Sequence, residues 1–265
     1  MAASHAIEPL EAEQASAYRR NVGDIVFKNL AMFFAALILV LIVVMVVEML
    51  GSSQLSRTKF GWAFLTSSIW DPVQEEYGAL PFIYGTLVSS ALALIFALPL
   101  SLGIAIFLSE ISPPWLERPL SFFVELLAGI PSIVYGIWGF YVMVPWIRSD
   151  VEPLLSSTLG LIPLFRGEPY GIGMLAAGVI LSVMVLPIIS SISRDVLKAV
   201  PRAQKEAALA LGSTRWEATK VALSYSRSGI IGAVILGLGR ALGETMAVTM
   251  VIGNRPTISA SLFEP

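Results

Sequence analysis

The sequence has 265 residues, of which 56% are hydrophobic and 14% charged, with a formal net charge of −2. Soluble globular domains are about 25% charged, so this composition is typical of a membrane protein. The sequence contains no cysteine, which excludes disulfides, thiolate metal sites and a cysteine nucleophile. The small net charge predicts no nucleic-acid partner. The only histidine, His5, lies in a polar N-terminal stretch, and we assign it no catalytic or metal-binding role.

Five apolar runs are long enough to cross a bilayer as helices, which takes about 20 residues. They occupy residues 30–47, 81–108, 126–147, 169–193 and 228–252. The first run is too long for a signal peptide and no small-x-small cleavage site follows it, so we predict that it stays as an anchor. The sequence therefore predicts an all-α integral membrane protein with five spans.

The distribution of lysine and arginine between the loops predicts the orientation. With a cytoplasmic N-terminus, eleven of these residues lie in inside segments and five in outside segments. The outside residues are Arg57, Lys59, Arg148, Arg166 and Arg255. Because cytoplasmic loops carry the excess of positive charge, we predict a cytoplasmic tail over residues 1–29, followed by a membrane domain over residues 30–265.

The second and third spans carry a few polar side chains. The hydroxyls of Thr86 and Ser132 could donate hydrogen bonds to an anion, although hydroxyls in membrane helices more often bond their own backbone. We expect the third span to begin before residue 126. Glu125 would then lie inside it, either as an intramembrane acid or as an interfacial carboxylate that reaches water. Pro131 and Gly136 predict a kink or a break, which is tolerated where backbone lines a cavity.

Residues 194–228 form a 35-residue cytoplasmic connection with strong helix signals. Pro201 suits a first helical position, and Gly212 suits the position after a helix end. Thr214 and Glu217 then fit a capping box that begins a second helix. We therefore predict two short helices joined by a tight turn.

The first of these short helices has an apolar face of small residues. The face consists of Ala203, Ala207, Ala208 and Leu211. Such a face suits docking into the groove of another protein, and it equally suits packing against the membrane domain of the same chain. The pattern by itself leaves both interpretations open.

The fifth span contains two charged residues, Arg240 and Glu244, which are four apart and can pair on one helix face. A lone charge at the bilayer centre costs about 2.5–3.5 kcal/mol on insertion scales, so both should face protein or water. Gly239 and Gly243 form a GxxxG pattern that would let a neighbouring helix approach closely. Three interpretations stay open: a permanent pair that fixes packing, direct binding of an anion by Arg240, or a pair that opens as an anion passes.

The cytoplasmic connection resembles the EAA loop of ABC importer permeases. The similar segment is EAALALGSTRWEATKVALS, residues 206–224, with Glu206, Ala207, Ala208 and Gly212 at matching positions. The last serine of the segment stands where the family usually has proline. The resemblance implies that this loop is the coupling element that sits on an ATPase subunit.

Three further segments are similar to the phosphate-specific permeases of the Pst type, the PstC group in particular. They are PFIYGTL at 81–87, ELLAGIPSIVYGIWG at 125–139 and GLGRALGETMAVTMVIGN at 237–254. The resemblance implies a type I ABC importer permease fold, normally with six spans, so we expect this chain to lack the last one. The PstA type of partner permease and the molybdate or sulfate permeases share the loop but match these segments less well, and they stand as alternatives.

The resemblance implies ATP-driven import of inorganic phosphate across the bacterial inner membrane. A periplasmic binding protein of the PstS type would deliver phosphate to this subunit and a second, PstA-type permease, and two PstB-type ATPase subunits would drive transport. It also implies a transport role for Arg240 and Glu244. The chain has no GxxxxGK[ST] loop and no cluster of catalytic side chains, so we predict a non-enzymatic subunit without metal or cofactor. A secondary anion transporter driven by an ion gradient is the alternative from another class.

Overall fold

The computed structural model describes residues 22–264, and nearly all of its regular structure is helical. The chain divides into two compact units, Met1–Trp62 and Ala63–Pro265. The predicted tail at residues 1–29 lies mostly outside the described residues. Its last part, from Val22 onward, belongs to the first helix.

The first unit contains helices α1 (Val22–Ser52) and α2 (Gln54–Phe60). The side chains described along α1 are all exposed, and most of them are apolar. A helix that is apolar all round is suited to a lipid environment. Its segment Gly23–Ser52 is long and apolar enough to cross a membrane, which confirms the first predicted span and extends it beyond residues 30–47 at both ends.

The second unit begins with α3 (Ala63–Thr66) and a small hairpin, in which β1 (Trp70–Asp71) pairs antiparallel with β2 (Glu76–Tyr77). Its other helices, in chain order, are α4 (Leu80–Ile106), α5 (Pro114–Ala128), α6 (Ser132–Trp138), α7 (Val144–Trp146), α8 (Glu152–Leu159), α9 (Met174–Lys198), α10 (Arg202–Ala210), α11 (Arg215–Leu242) and α12 (Met246–Val251). Turns of π-helix extend or join some of them at Phe107–Ile111, Gly139–Met143 and Ile147–Val151.

Helix α9 lies at the centre of the second unit and packs along α4 and α11. The buried face of α4 consists mainly of small residues, among them Ser89, Ser90, Ala93, Ala97, Ser101 and Ala105. On α9, a Cβ atom added to Gly178 would stand 2.7 Å from the Cβ of Leu92. The hydroxyl of Ser101 donates to the Leu186 carbonyl at 3.1 Å. Small residues therefore bring these two helices together, as is usual between membrane helices.

The segment that follows α12 is tied back to the start of α9. The Leu175 N–H donates to the Leu262 carbonyl at 2.9 Å, and the Gly173 N–H donates to the Val251 carbonyl at 3.0 Å. Phe263 is 1% exposed and belongs to the largest apolar core, which also takes in parts of α6, α9 and α12. These contacts fix residues 253–264 in place beside the ends of α9 and α12.

Among the described residues, four helices are long and apolar enough to span a membrane, and a bent pair makes a fifth span if it is counted as one. The pair consists of α5 and the segment Ser132–Leu159, which meet at 91°. Pro131 disfavours helical backbone at Ile130, so the break predicted there is confirmed. Glu125 lies in α5, the part of the pair before the bend, so it belongs to the third span when the pair is counted as one, as predicted. Gly136 causes no break and lies inside α6.

Two other boundaries differ from the predicted spans. The fourth span begins at Met174 rather than residue 169, since Gly171 has a φ of 75°, which is outside helical backbone. The second predicted loop helix and the fifth span form one continuous helix, α11, because no helix-breaking residue follows the capping box. This helix ends at Leu242 rather than 252, and residues 243–245 separate it from α12.

Candidate functional site

The break between α11 and α12 separates Arg240 from Glu244 in the backbone but not in space. Helix α11 ends at Leu242 with Gly243 as its cap, so Glu244 lies beyond the last helical residue. The side chains still meet, with Arg240 Nη2 3.5 Å from Glu244 Oε2. The structure thus brings the two charged residues together across a helix end rather than along one continuous helix face.

The two members of this pair differ in exposure and in the number of their partners. The Glu244 side chain is 4% exposed, whereas that of Arg240 is 45% exposed. The Glu244 carboxylate also accepts a hydrogen bond of 3.3 Å from the Ala247 N–H, in the first turn of α12. The carboxylate is therefore held from two sides, and the half-exposed guanidinium is the member that can change its partner.

A cavity of about 340 Å³ opens beside Glu244. Its walls are the first turns of α4, the break after α11, helix α12 and the segment that follows it. Thr86 and Glu244 line this cavity, whereas Arg240 and Ser132 are not among its lining residues. Arg255, which the sequence predicted only as an outside residue, lines it as well, and its guanidinium has no ion-pair partner within residues 22–264.

The hydroxyls around the cavity differ in what they can offer to an anion. Thr86 Oγ1 donates to the Phe82 carbonyl at 2.8 Å, so its proton is already engaged by its own helix. Thr245 and Thr257 line the cavity, and their hydroxyls have no hydrogen-bond partner in the described part of the chain. These two hydroxyls and the Arg255 guanidinium are among the donors available to an anion. Glu264 adds a second carboxylate to the lining.

Ser132 lies away from this cavity, as the first residue of α6 directly after the 91° bend. It is partly buried, and its neighbour Pro131 is the N-cap of the helix. The structure therefore does not bring Ser132 together with Thr86 and Glu244.

Glu125 pairs with an arginine that the sequence analysis counted only as a loop charge. Its Oε1 lies 2.9 Å from Nη2 of Arg194, near the end of α9. The Arg194 side chain is 9% exposed and also bonds Asp195, whereas the Glu125 side chain is 56% exposed. Glu125 is thus an exposed partner of a buried arginine rather than an isolated buried acid. Sequence spacing could not indicate this pair, because 69 residues separate its members.

The glycines of α11 differ in what surrounds them. A Cβ added to Gly239 meets nothing within 4 Å, and one added to Gly243 meets only the Gly239 carbonyl of its own helix, at 3.3 Å. Helix α9 approaches α11 closely instead at Gly229 and Gly237, where an added Cβ would stand 2.5 Å from Val196 and 2.7 Å from Ile189. The face at Gly239 is open in this chain.

Helix α10 contains the Glu-Ala-Ala residues of the EAA-type loop, and two of these three residues are exposed. Glu206 and Ala207 are exposed, and Ala208 is partly buried. Of the predicted apolar face, Ala203 is also exposed, and Leu211 is 89% exposed. The membrane domain of this chain therefore leaves this face of α10 largely uncovered.

Local signals at the end of α10 were predicted correctly. Gly212 has a φ of +85°, and its N–H donates to the Leu209 carbonyl, while the Ser213 N–H donates to the Ala208 carbonyl. This is the Schellman pattern, which needs a left-handed residue after the helix end. Both bonds of the capping box between Thr214 and Glu217 are present. Gly212 thus ends one helix and the capping box begins the next.

The sequence analysis missed one buried carboxylate. Glu152, the first residue of α8, is 1% exposed and accepts a hydrogen bond of 2.9 Å from the Gly171 N–H. It fixes the loop before α9 to the α8 segment, and no sequence pattern indicated it. Across residues 22–264, no three histidine or acidic side chains lie together in a group that could hold a metal ion.

The chain is similar to known transport proteins over most of its length. Residues 97–264, more than half of the chain, match a family described as the binding-protein-dependent transport system inner membrane component. Over 256 residues the chain is 49% identical to the phosphate transport system permease protein PstC of Mesorhizobium japonicum, which covers 95% of this chain and 78% of that protein.

The chain is also similar to PstC proteins of other organisms. The chain is 46% identical to PstC of Haemophilus influenzae over 244 residues, covering 90% of this chain and 78% of that protein. A probable phosphate transport system permease protein PstC of Methanocaldococcus jannaschii is 39% identical over 212 residues, covering 78% of this chain and 67% of that protein.

Proposed function

The chain belongs to the binding-protein-dependent transport system inner membrane components, and within them to the PstC-type permeases; from this we propose that it imports inorganic phosphate as the membrane subunit of an ATP-driven complex. A permease of this family is non-catalytic, so ATP hydrolysis falls to separate subunits. The proposal takes the substrate from the PstC relatives, two of which are 46–49% identical over at least 90% of this chain.

We assign the chain the type I importer fold, with five of the family's spans and a cytoplasmic N-terminus. Support for the orientation comes from the lysines and arginines, seven of which lie in the connection 194–228 on the inner side. In this orientation the cavity beside Glu244 lies toward the outer face, because α4 runs from its cavity end inward.

The phosphate pathway, in this proposal, passes the cavity that Thr86, Glu244 and Arg255 line. The observation that carries this assignment is the position of Glu244, a carboxylate that is 4% exposed, lines the cavity and contacts a half-exposed arginine. A buried acid beside an anion path prevents tight trapping, and a half-exposed guanidinium can pass from the acid to the anion, so binding stays weak enough for release.

The connection 194–228 is the proposed coupling loop. Its helix α10 leaves Ala203, Ala207 and Leu211 uncovered, and an exposed helix face of small apolar residues suits the groove of a partner protein. We assign that groove to PstB-type ATPase subunits. The remaining partners are a second permease of the PstA type, which would share the pathway, and a PstS-type binding protein that delivers phosphate to the outer face.

The test is ATP hydrolysis and uptake by the complex reconstituted in liposomes from the four kinds of subunit. Phosphate-loaded binding protein should stimulate both, whereas sulfate and molybdate should stimulate neither. Stimulation by sulfate or molybdate instead of phosphate would assign another anion. Uptake that needs an ion gradient but no ATP would identify a secondary transporter and refute the proposal.

A further inference from the structure

We propose that the ion pair between Glu110 and Lys205 transmits movement of the coupling helix α10 to α4, whose first turns line the cavity. The inference rests on the proposed transport function and adds two residues to it. Neither residue contacts the cavity, so their role is to couple the two ends of the subunit.

Within the described residues, the pair is the polar side-chain contact between α10 and the π-helical turn that continues α4. Lys205 Nζ lies 2.6 Å from Glu110 Oε1, and the side chains are 23% and 12% exposed. The neighbouring pair of Lys198 and Glu117, which joins α9 to α5, is more exposed, at 41% and 25%. Partly buried charges are costly to separate because neither regains full hydration. The Lys205–Glu110 pair is therefore better suited than the Lys198–Glu117 pair to transmit movement between helices.

A π-helical turn presents Glu110 to the coupling helix. The regular hydrogen bonding of α4 ends at Ile106, and residues Phe107–Ile111 continue as one wider turn. The Ser112 N–H closes that turn on the Phe107 carbonyl at 2.8 Å. Turns of this kind are rare and occur often at functional sites. Glu110 is the acidic residue within this turn, and its side chain meets Lys205 of α10.

Lys205 lies on the opposite side of α10 from the proposed ATPase contact. It is two residues from both Ala203 and Ala207, which corresponds to a rotation of about 200° around a helix. Ala203 and Ala207 are exposed, whereas Lys205 is partly buried. One face of α10 is thus open to a partner, and the opposite face bonds α4. A push on the open face would reach Glu110 through this bond.

Helix α4 connects this bond to the cavity. Together with the π-helical turn it forms one continuous segment, Leu80–Ile111. Thr86 and Ser89 line the cavity near the outer end of this segment. Glu110 follows Thr86 by 24 residues, which is about 36 Å along the helix at 1.5 Å per residue. Coupling between distant sites needs a contiguous physical link. The Lys205–Glu110 bond and α4 provide such a link between the proposed ATPase contact and the proposed pathway.

Charge reversal in the complete reconstituted complex tests the proposal. Glu110→Lys and Lys205→Glu should each lower the phosphate imported per ATP hydrolysed by about fivefold or more, the lower end of the usual range for coupling between sites. ATP hydrolysis should continue but lose its stimulation by phosphate-loaded binding protein. The double reversal should restore both quantities to within about twofold, and Lys205→Arg should retain them, because each restores an ion pair at the same place.

Glu117→Lys is the matched control, since it reverses an acid that lies outside the coupling loop and whose pair joins α5 to α9; it should leave the import ratio unchanged. An unchanged ratio in both single reversals would overturn the proposal. So would a loss of the ratio that the double reversal does not rescue, or an equal loss in Glu117→Lys. Should the single reversals fail to assemble, Lys205→Gln and Glu110→Gln replace them with the same criteria. Absence of phosphate uptake by the unmodified complex would overturn the proposed function itself, which these variants do not address.

Discussion

Arg240 contacts Glu244 across the end of α11, and the two side chains differ in how far they are buried. The carboxylate is almost fully buried and is held by the Ala247 N–H as well, whereas the guanidinium is half exposed. Partner exchange by the arginine would therefore leave the acid in place. This asymmetry favours a pair that opens over a pair that only fixes packing.

Arg240→Gln should abolish phosphate uptake while the protein still inserts and the complex still assembles. Within the described residues, the substitution removes the cationic partner of Glu244 and leaves a shorter side chain that still carries a hydrogen-bond donor. Glu244→Gln combined with Arg240→Gln separates the interpretations, since the double variant leaves no unpaired buried charge. If the pair only fixes packing, the double variant should recover uptake. If the arginine meets the anion, uptake should stay absent, as measured with radiolabelled phosphate in liposomes.

Arg255→Gln should lower the phosphate uptake rate about tenfold, because a hydrogen bond to a charged group contributes about 1.5–3 kcal/mol. Arg255 lines the cavity without an ion-pair partner in the described part of the chain. The control is Arg166→Gln, at another arginine that the sequence predicts to lie outside, whose guanidinium donates to the carbonyls of Gly160 and Leu161. Equal loss in both variants would point to general loop damage and count against a cavity role for Arg255.

Gly237→Ala and Gly239→Ala should have opposite effects on the isolated subunit. At Gly237 the new methyl group would meet Ile189 and Val185 at 2.7–2.8 Å, and overpacking costs about 1–3 kcal/mol. At Gly239 nothing lies within 4 Å, so only the gain in helix propensity of about 1 kcal/mol applies. Thermal unfolding in detergent should therefore occur at a lower temperature in the first variant and at an equal or higher one in the second.

Gly239→Ala also tests assembly with the second permease. If a helix of the second permease packs at Gly239, as the GxxxG pattern predicts, Gly239→Ala should reduce co-purification with that subunit although the isolated chain is intact. Undiminished co-purification would show that the open face at Gly239 is directed elsewhere, for example toward lipid.

Much of the fold could be predicted because its signals are local. An apolar run of the right length indicates a span regardless of its neighbours, and α1, α4, α9 and α11 follow from it. The end of α10 at Gly212 was predicted for the same reason. Local signals also have a limit. Nothing between Thr214 and residue 228 marks a helix end, so the continuity of α11 could be recognised only by the absence of a breaker.

The candidate site was less predictable because it depends on contacts between distant residues. Glu125 and Arg194, or Glu110 and Lys205, are 69 and 95 positions apart, and no periodic pattern relates them. Arg240 and Glu244 could be paired from their spacing alone. The cavity, with Arg255 in its wall, forms only when the segment after α12 folds back against α9.

Gly212→Val should weaken the attachment of the ATPase subunits, whereas Gly212→Asn should preserve it. The φ of Gly212 is +85°, and a Cβ added there meets nothing within 4 Å, so any effect comes from the backbone conformation and not from crowding. The left-handed region costs L-residues about 1–2 kcal/mol, with asparagine among the exceptions and β-branched residues the least tolerant. Valine would therefore disrupt the two hydrogen bonds that end α10 and change the angle at which the helix meets a partner.

Co-purification of the ATPase subunit measures this effect, with folding of the membrane domain followed by thermal unfolding of the same preparations. A several-fold loss with valine, little loss with asparagine and similar unfolding temperatures is the expected result. Equal retention of the ATPase by both variants would mean that the turn at Gly212 does not set the geometry of the contact. Equal loss of the ATPase subunit in both variants would mean that the partner packs directly against Gly212, because asparagine keeps the backbone conformation but adds a side chain.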